Sequence, residues 1–202
     1  FRVFDSLNWI DGMKVAMDEV LNQNKILEAA VCYTGNILDP NNDKYTLKYY
    51  VDMAKELERR GAHTLAIKDM AGLLKPYAAK KLITELKQEV GVPIHLHTHN
   101  TTGTGDMVNL MASQAGVDIV DCALSAMANG TSQPATEALV ATLKGTERDT
   151  GLDLMLLNDA AAHFRKVANK LKADGILEVP QGLEGFDVGS EVEIRLLCPE
   201  EK

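Results

Sequence analysis

Within Pro93-Ile-His95-Leu-His97-Thr-His99-Asn100, two histidines stand one residue apart at the end of an apolar run. Alternate residues of an extended strand face the same side, so His97 and His99 present two imidazoles to one cavity. Neutral imidazole suits Zn, Mn or Co, and an oxygen donor commonly completes such a set. Nitrogen ligands disfavour Mg alone. A second stretch, Thr64-Leu-Ala-Ile-Lys68-Asp69-Met-Ala-Gly-Leu-Leu74, carries Lys68 at its end. An ammonium has no lone pair to give, so Lys68 acts as an oxygen ligand only after reaction with carbon dioxide. An isolated His-x-His reads more simply as a pair of solvated loop histidines. A lone Lys68 reads as a surface or ion-paired lysine, with Asp69 as a screening neighbour. His95 shares the alternating face and lies deeper.

The elements that must position these residues follow from periodicity. Short apolar runs alternate with helical patterns five times. Phe1 to Phe4 reads as a strand, with Asn8 as the N-cap of a helix whose Ile10, Met13, Met17, Val20 and Leu21 keep helical spacing. Leu27 to Tyr33 is the second strand, followed by a helix at about 44–60 that stops near Gly61. His63 to Lys68 is the third; Pro76 then opens a helix with a buried stripe of Leu82, Ile83, Leu86 and Val90. Ile94 to Thr98 precedes a helix near 105–115, and Val117 to Ala123 precedes one opening near Pro134. A longer helix covers about 153–171. Repeated strand-helix units with apolar strands mean an α/β fold with a parallel sheet covered by helices. Periodicity alone does not choose between an open doubly wound sheet and a barrel, and five strands suit the open sheet better.

Composition narrows the function classes. With 202 residues, 46% of them hydrophobic and 25% charged, the chain is long enough for a sizeable core. Its net charge of −8 comes without a basic cluster, which excludes nucleic acid as a partner. Cys32, Cys122 and Cys198 lie far apart without a C-x-x-C, in keeping with reduced thiols and a cytoplasmic setting. No apolar stretch approaches the ~20 residues of a membrane span, and no signal peptide is visible.

The lysine motif and the His-x-His together resemble one family, the carboxyltransferase domain of biotin-dependent pyruvate carboxylases. Its relatives are the oxaloacetate decarboxylase α subunit and the pyruvate-side subunit of transcarboxylase. Phe1-Arg-Val-Phe-Asp5-Ser-Leu-Asn8, Cys32-Tyr33-Thr34-Gly35, Thr131-Ser-Gln133-Pro134 and Thr146-Glu-Arg-Asp-Thr-Gly-Leu-Asp-Leu154 read as that family's landmarks, in its order. The resemblance covers residues 1 to about 171. It implies the C-terminal part of a (β/α)8 TIM barrel, its last five strand-helix units, over residues 1–172. It also implies a metal held by carbamylated Lys68, His97 and His99, with Lys68 the catalytic residue, and leaves His95 as a hydrogen-bonded core histidine. The family's aspartate ligand, its pyruvate-holding glutamine and arginine, and its proton-shuttling threonine have no counterpart here. The implied reaction is carboxyl transfer between carboxybiotin and pyruvate or oxaloacetate. Its cofactors are a divalent metal (Zn, Mn or Co) and biotin carried on another domain or subunit.

The implied partners are that biotin carrier and either further copies of the chain or the missing barrel segment. The chain alone is expected to be inactive. A metal-dependent aldolase or lyase of the hydroxymethylglutaryl-CoA lyase type is the competing enzyme reading; Lys68 argues against it, since those sites do not use a carbamylated lysine. A non-catalytic fragment acting in assembly is the reading from another class. Residues 173–202 depart from the family: two alternating runs flank glycine-rich turns and read as a β-hairpin-like tail. Among weaker features, Gly103-Thr-Gly105 reads as a plain turn, and Thr101 and Thr102 as neighbours of the ligands or as caps. Met107, Met111, Met127 and Met155 read as core filler, and His163 as exposed.

Overall fold

The computed structural model describes residues 1–171, 175–177 and 194–196. Five strands, β1 (Arg2–Val3), β2 (Glu28–Cys32), β3 (Thr64–Asp69), β4 (Ile94–Thr98) and β5 (Ile119–Val120), pair in parallel in the order of the chain. That order distinguishes two architectures that periodicity left open. A doubly wound sheet reverses its strand order and places helices on both faces. Right-handed crossovers between strands added one after another keep every helix on the same face, as in a barrel wall. Six helices follow: α1 (Ile10–Asn22), α2 (Leu47–Arg59), α3 (Pro76–Glu89), α4 (Gly105–Gln114), α5 (Thr136–Leu143) and α6 (Leu154–Leu171).

The two sheet faces differ in kind. Ala29, Val31, Leu65, Ile67, Ile94 and Leu96 are buried under the helices, where Tyr50, Leu57, Leu82, Ile83 and Leu86 meet them. The opposite face carries Arg2, Glu28, Cys32, Lys68, His95 and His97, placed by alternation and by a register that sets Cys32 beside Lys68 and Lys68 beside His97. The helix-covered face is the core of the chain. The other carries ionisable groups from four of the five strands.

Several local expectations are revised. Asn8 is not the N-cap of α1; Trp9 is. Asn8 has φ 60°, and its amide bonds both backbone groups of Cys32, at 2.9 Å to the carbonyl and 2.8 Å from the N–H. It thus extends the pairing of β1 on β2 past the last strand residue. The fifth strand shrinks to Ile119–Val120, followed by a single parallel bridge between Ala123 and Ala135. Met107, Met127 and Met155 are exposed, because α4 buries Val108, Asn109 and Ala112 instead and α6 turns Met155 outward; the buried methionines are Met13, Met17 and Met53. In the tail, β6 (Gly175–Leu177) pairs antiparallel with β7 (Ile194–Leu196). The remainder of the expected hairpin, and Cys198, lie outside the described residues.

Candidate metal centre

Strand β4 delivers its histidines to the C-terminal edge of the sheet. His97 Nε2 and His99 Nε2 stand 3.2 Å apart, with both side chains half-buried. Their other ring nitrogens are occupied: His97 Nδ1 lies 2.7 Å from Asp121 Oδ2, and His99 Nδ1 lies 2.5 Å from the Thr131 carbonyl. A carbonyl only accepts, so His99 donates from Nδ1 and its Nε2 carries a lone pair when the ring is neutral. The same reasoning applies to His97 against an ionised Asp121. Two lone pairs therefore face each other, an arrangement that favours a cation between them. Two nitrogens about 2.1 Å from a shared ion stand roughly 3.0 Å apart at a right angle and about 3.4 Å apart at the tetrahedral angle. The observed separation falls between, so the donor pair fits a divalent ion.

Lys68 is next to His97 in the sheet register and is buried, 7% exposed. Its Nζ lies 4.3 Å from the centre of the Phe4 ring and against the Met70 thioether. No carboxylate among the described residues pairs with it. Asp69 is not its screening neighbour. It is fully buried on the opposite face, where it accepts from Leu73 N at 2.8 Å, Leu74 N at 3.0 Å and Thr98 Oγ1 at 2.8 Å, fixing the loop after β3. Among the described residues, no third histidine, cysteine or acid joins the pair in a metal-binding cluster. Gln133 Nε2, from one of the sequence landmarks, lies 3.4 Å from His99 Nε2.

Asp121 is the side chain at this edge that sequence reasoning missed. One oxygen faces His97 and the other lies 2.7 Å from His95 Nε2, while His95 Nδ1 meets Glu28 Oε2 at 2.6 Å. Arg2 closes the cluster against Glu28 and reaches Asp121 at 3.4 Å. Burial alone would raise the Asp121 carboxyl, but hydrogen bonds from His95 and His97, and the charges of His95 and Arg2, hold it well below the usual carboxylate range. Burial opposes charge on His95 too, yet Asp121 and Glu28 bonded to its two nitrogens raise it above an ordinary histidine. His95 is 8% exposed, the buried, hydrogen-bonded histidine that its depth implies.

The loops after the strands are tied to the same edge. The Thr102 hydroxyl is hydrogen-bonded to neither a backbone N–H of a helix end nor a histidine ring; it donates to the Gly72 carbonyl at 2.8 Å. Gly105 N is taken by Asn100 Oδ1 at 2.8 Å, so the Gly103–Gly105 turn leaves no anion cradle there. Beside Lys68 opens a cavity of about 420 Å³ lined by Phe4, Asn8, Cys32, Tyr33, Tyr45 and Met70, the concave space at this edge.

Residues 22–163 match the HMGL-like family. The chain is 55% identical over 148 residues to pyruvate carboxylase of Bacillus subtilis strain 168, covering 73% of this chain and 13% of that one. It is 45% identical over 172 residues to a pyruvate carboxylase subunit of Methanocaldococcus jannaschii, covering 85% and 29%. The structure superposes on the carboxyl transferase domain of Rhizobium etli pyruvate carboxylase with a TM-score of 0.83 and 50% identity, covering 84% of this chain and 28% of that one. The same domain solved with pyruvate gives the same TM-score and identity. The five-stranded wall thus corresponds to part of a TIM-barrel domain, and the chain spans less than a third of each of these relatives.

Proposed function

The chain belongs to the HMGL-like family, and from that premise we propose that it carries the metal-binding part of a site for carboxyl transfer between biotin and pyruvate or oxaloacetate. The observation that carries the reading is the His97–His99 pair with its two Nε2 atoms turned inward at 3.2 Å. Identities of 45–56% to pyruvate carboxylases support this chemistry over the hydroxymethylglutaryl-CoA lyase type. The biotin would arrive on another domain or subunit.

His97 and His99 would hold a divalent ion, with Zn, Mn and Co all compatible with imidazole. Bound there, such an ion would supply a Lewis acid beside a carbonyl oxygen where negative charge develops. The chain's own residues do the rest. Asp121 and the Thr131 carbonyl keep both ring N–H groups turned away from the cavity. Lys68 has no acidic partner among the described residues; reaction with carbon dioxide would turn it into an oxygen donor in register with His97. Phe4 and Tyr33 line the adjoining cavity.

Elemental analysis of the full chain after equilibration with Zn²⁺, Mn²⁺ or Co²⁺ tests the ligands. The expected result is one ion per chain, lost in the double variant His97→Ala, His99→Ala; unchanged stoichiometry in that variant overturns the reading. Carbon-13 bicarbonate added to the loaded chain should give a carbamate signal that Lys68→Arg abolishes. The chain by itself is proposed to be nearly silent in oxaloacetate decarboxylation, since its described residues supply two imidazoles without a third acid, histidine or cysteine. Positioning and charge stabilisation contribute several powers of ten each. Turnover well above that of the free metal ion in solution would refute it.

A further inference from the structure

We propose that Asp121 is the positioning residue of the imidazole pair: by accepting from His97 Nδ1 it fixes His97 as the Nδ1–H tautomer and turns the bare Nε2 toward His99. Its consequence for cation binding rests on the reading that His97 and His99 hold a divalent ion. The geometry behind it spans four strands. Asp121, just past β5, cannot rotate freely, because Oδ2 meets His97 Nδ1 and Oδ1 meets His95 Nε2, both at 2.7 Å. His95 on β4 is anchored through its other nitrogen by Glu28 of β2, and Glu28 in turn by Arg2 of β1. An ionised carboxylate only accepts, so the proton of a neutral His97 ring must sit on Nδ1.

His99 reaches the same tautomer by a different route. Its Nδ1 donates to the backbone carbonyl of Thr131, at 2.5 Å, and no side-chain substitution removes a backbone carbonyl. One half of the pair is therefore set by the main chain and the other by a single replaceable carboxylate. Where a histidine's second nitrogen is held by a carboxylate, loss of that partner typically weakens metal affinity by about tenfold to a hundredfold. The asymmetry between the two histidines supplies an internal control.

The test uses the full chain labelled with nitrogen-15 histidine, without metal, at about pH 8.5, where an ordinary imidazole is neutral. Long-range proton–nitrogen correlations read each tautomer. Both His97 and His99 are expected as Nδ1–H in the parent chain. Asp121→Leu removes both acceptor oxygens and keeps the branched side-chain shape; His97 should switch to Nε2–H while His99 stays as it was. Co²⁺ affinity, followed by visible absorption, should fall by about tenfold to a hundredfold. An Nε2–H His97 in the parent overturns the proposal whether or not the variant folds. So does a folded variant, checked by circular dichroism, in which His97 keeps Nδ1–H or His99 switches with it. If His97 alone switches but the parent binds Co²⁺ no better than the chain with His97→Ala and His99→Ala, the positioning role stands and the metal reading falls.

Discussion

Adjacent on β3, Lys68 and Asp69 face opposite sides of the sheet, one toward the cavity beside Phe4 and Met70 and the other into the loop that follows. Alternation of this kind is visible in sequence, which is why His97 and His99 could be paired from their spacing alone. Asp121 could not be found that way. It follows His97 by 24 positions and meets it only through the register of β4 with β5, which the sequence does not display. The signal available was weaker: an acid at the end of an apolar run, in the position where barrel-type sheets keep functional side chains. Cys122, the next residue, gives a residue-scale prediction. Burial pushes its thiol up to about 11, so little reactive thiolate exists at neutral pH. At pH 8 its alkylation by iodoacetamide should be at least about tenfold slower than that of a free thiol with an ordinary value of about 8.5. The rate should climb with pH until about 11, where thiolate formation levels off; site-resolved mass spectrometry checks it. A rate already flat above pH 9 would contradict that environment.

Between elements, the β3–α3 loop carries the tightest constraint near the histidines. Gly72 has φ 67°, and a Cβ there would come within 2.7 Å of the His99 carbonyl oxygen, a backbone atom that cannot swing aside. Gly72→Ala should therefore cost about 1–3 kcal/mol in urea unfolding, from backbone strain with the contact added. It should also move the His99 resonances. Gly103 has a similar φ of 73° but open space around it, so Gly103→Ala should be milder and leave His99 in place. Equal effects at the two glycines would show that the contact with His99 carries no weight. On α3, Leu86 is fully buried, and Leu86→Ala should cost about 2–5 kcal/mol by the same measurement. The helices themselves were legible from their stripes: α3 buries Leu82, Ile83 and Leu86 as their spacing implies. The exposed methionines were misread because side-chain hydrophobicity does not say which way a short helix turns. With Val108 and Ala112 already filling the inner stripe of α4, Met107 is left outside. Asn8 was recognised as a residue for a special position, but its amide docks on Cys32 rather than on a helix end.

Across the whole molecule, barrel wall and doubly wound sheet present the same alternation of strands and helices, so their difference lay in connectivity rather than in any local pattern. The observed order, β1 to β5 without a reversal, has a consequence for how the chain acquires its structure. Among the described strands of this sheet, each forms its backbone ladder only with the strand before it and the strand after it, so pairing can advance along the chain like a zipper. Proline-free β3 and β4 form its middle, each flanked on both sides, while β1 and β5 are two residues long and sit at the ends. Amide hydrogen exchange should be slowest at Ala66, Ile67 and Leu96 and quicken toward Val3 and Val120; a uniform profile would mean that the wall opens all at once. Because none of these five strands waits for a partner made much later among them, each new unit emerging from a ribosome meets a neighbour already in place. A wall built this way can be lengthened by one unit at a time, and each addition finds its edge ready.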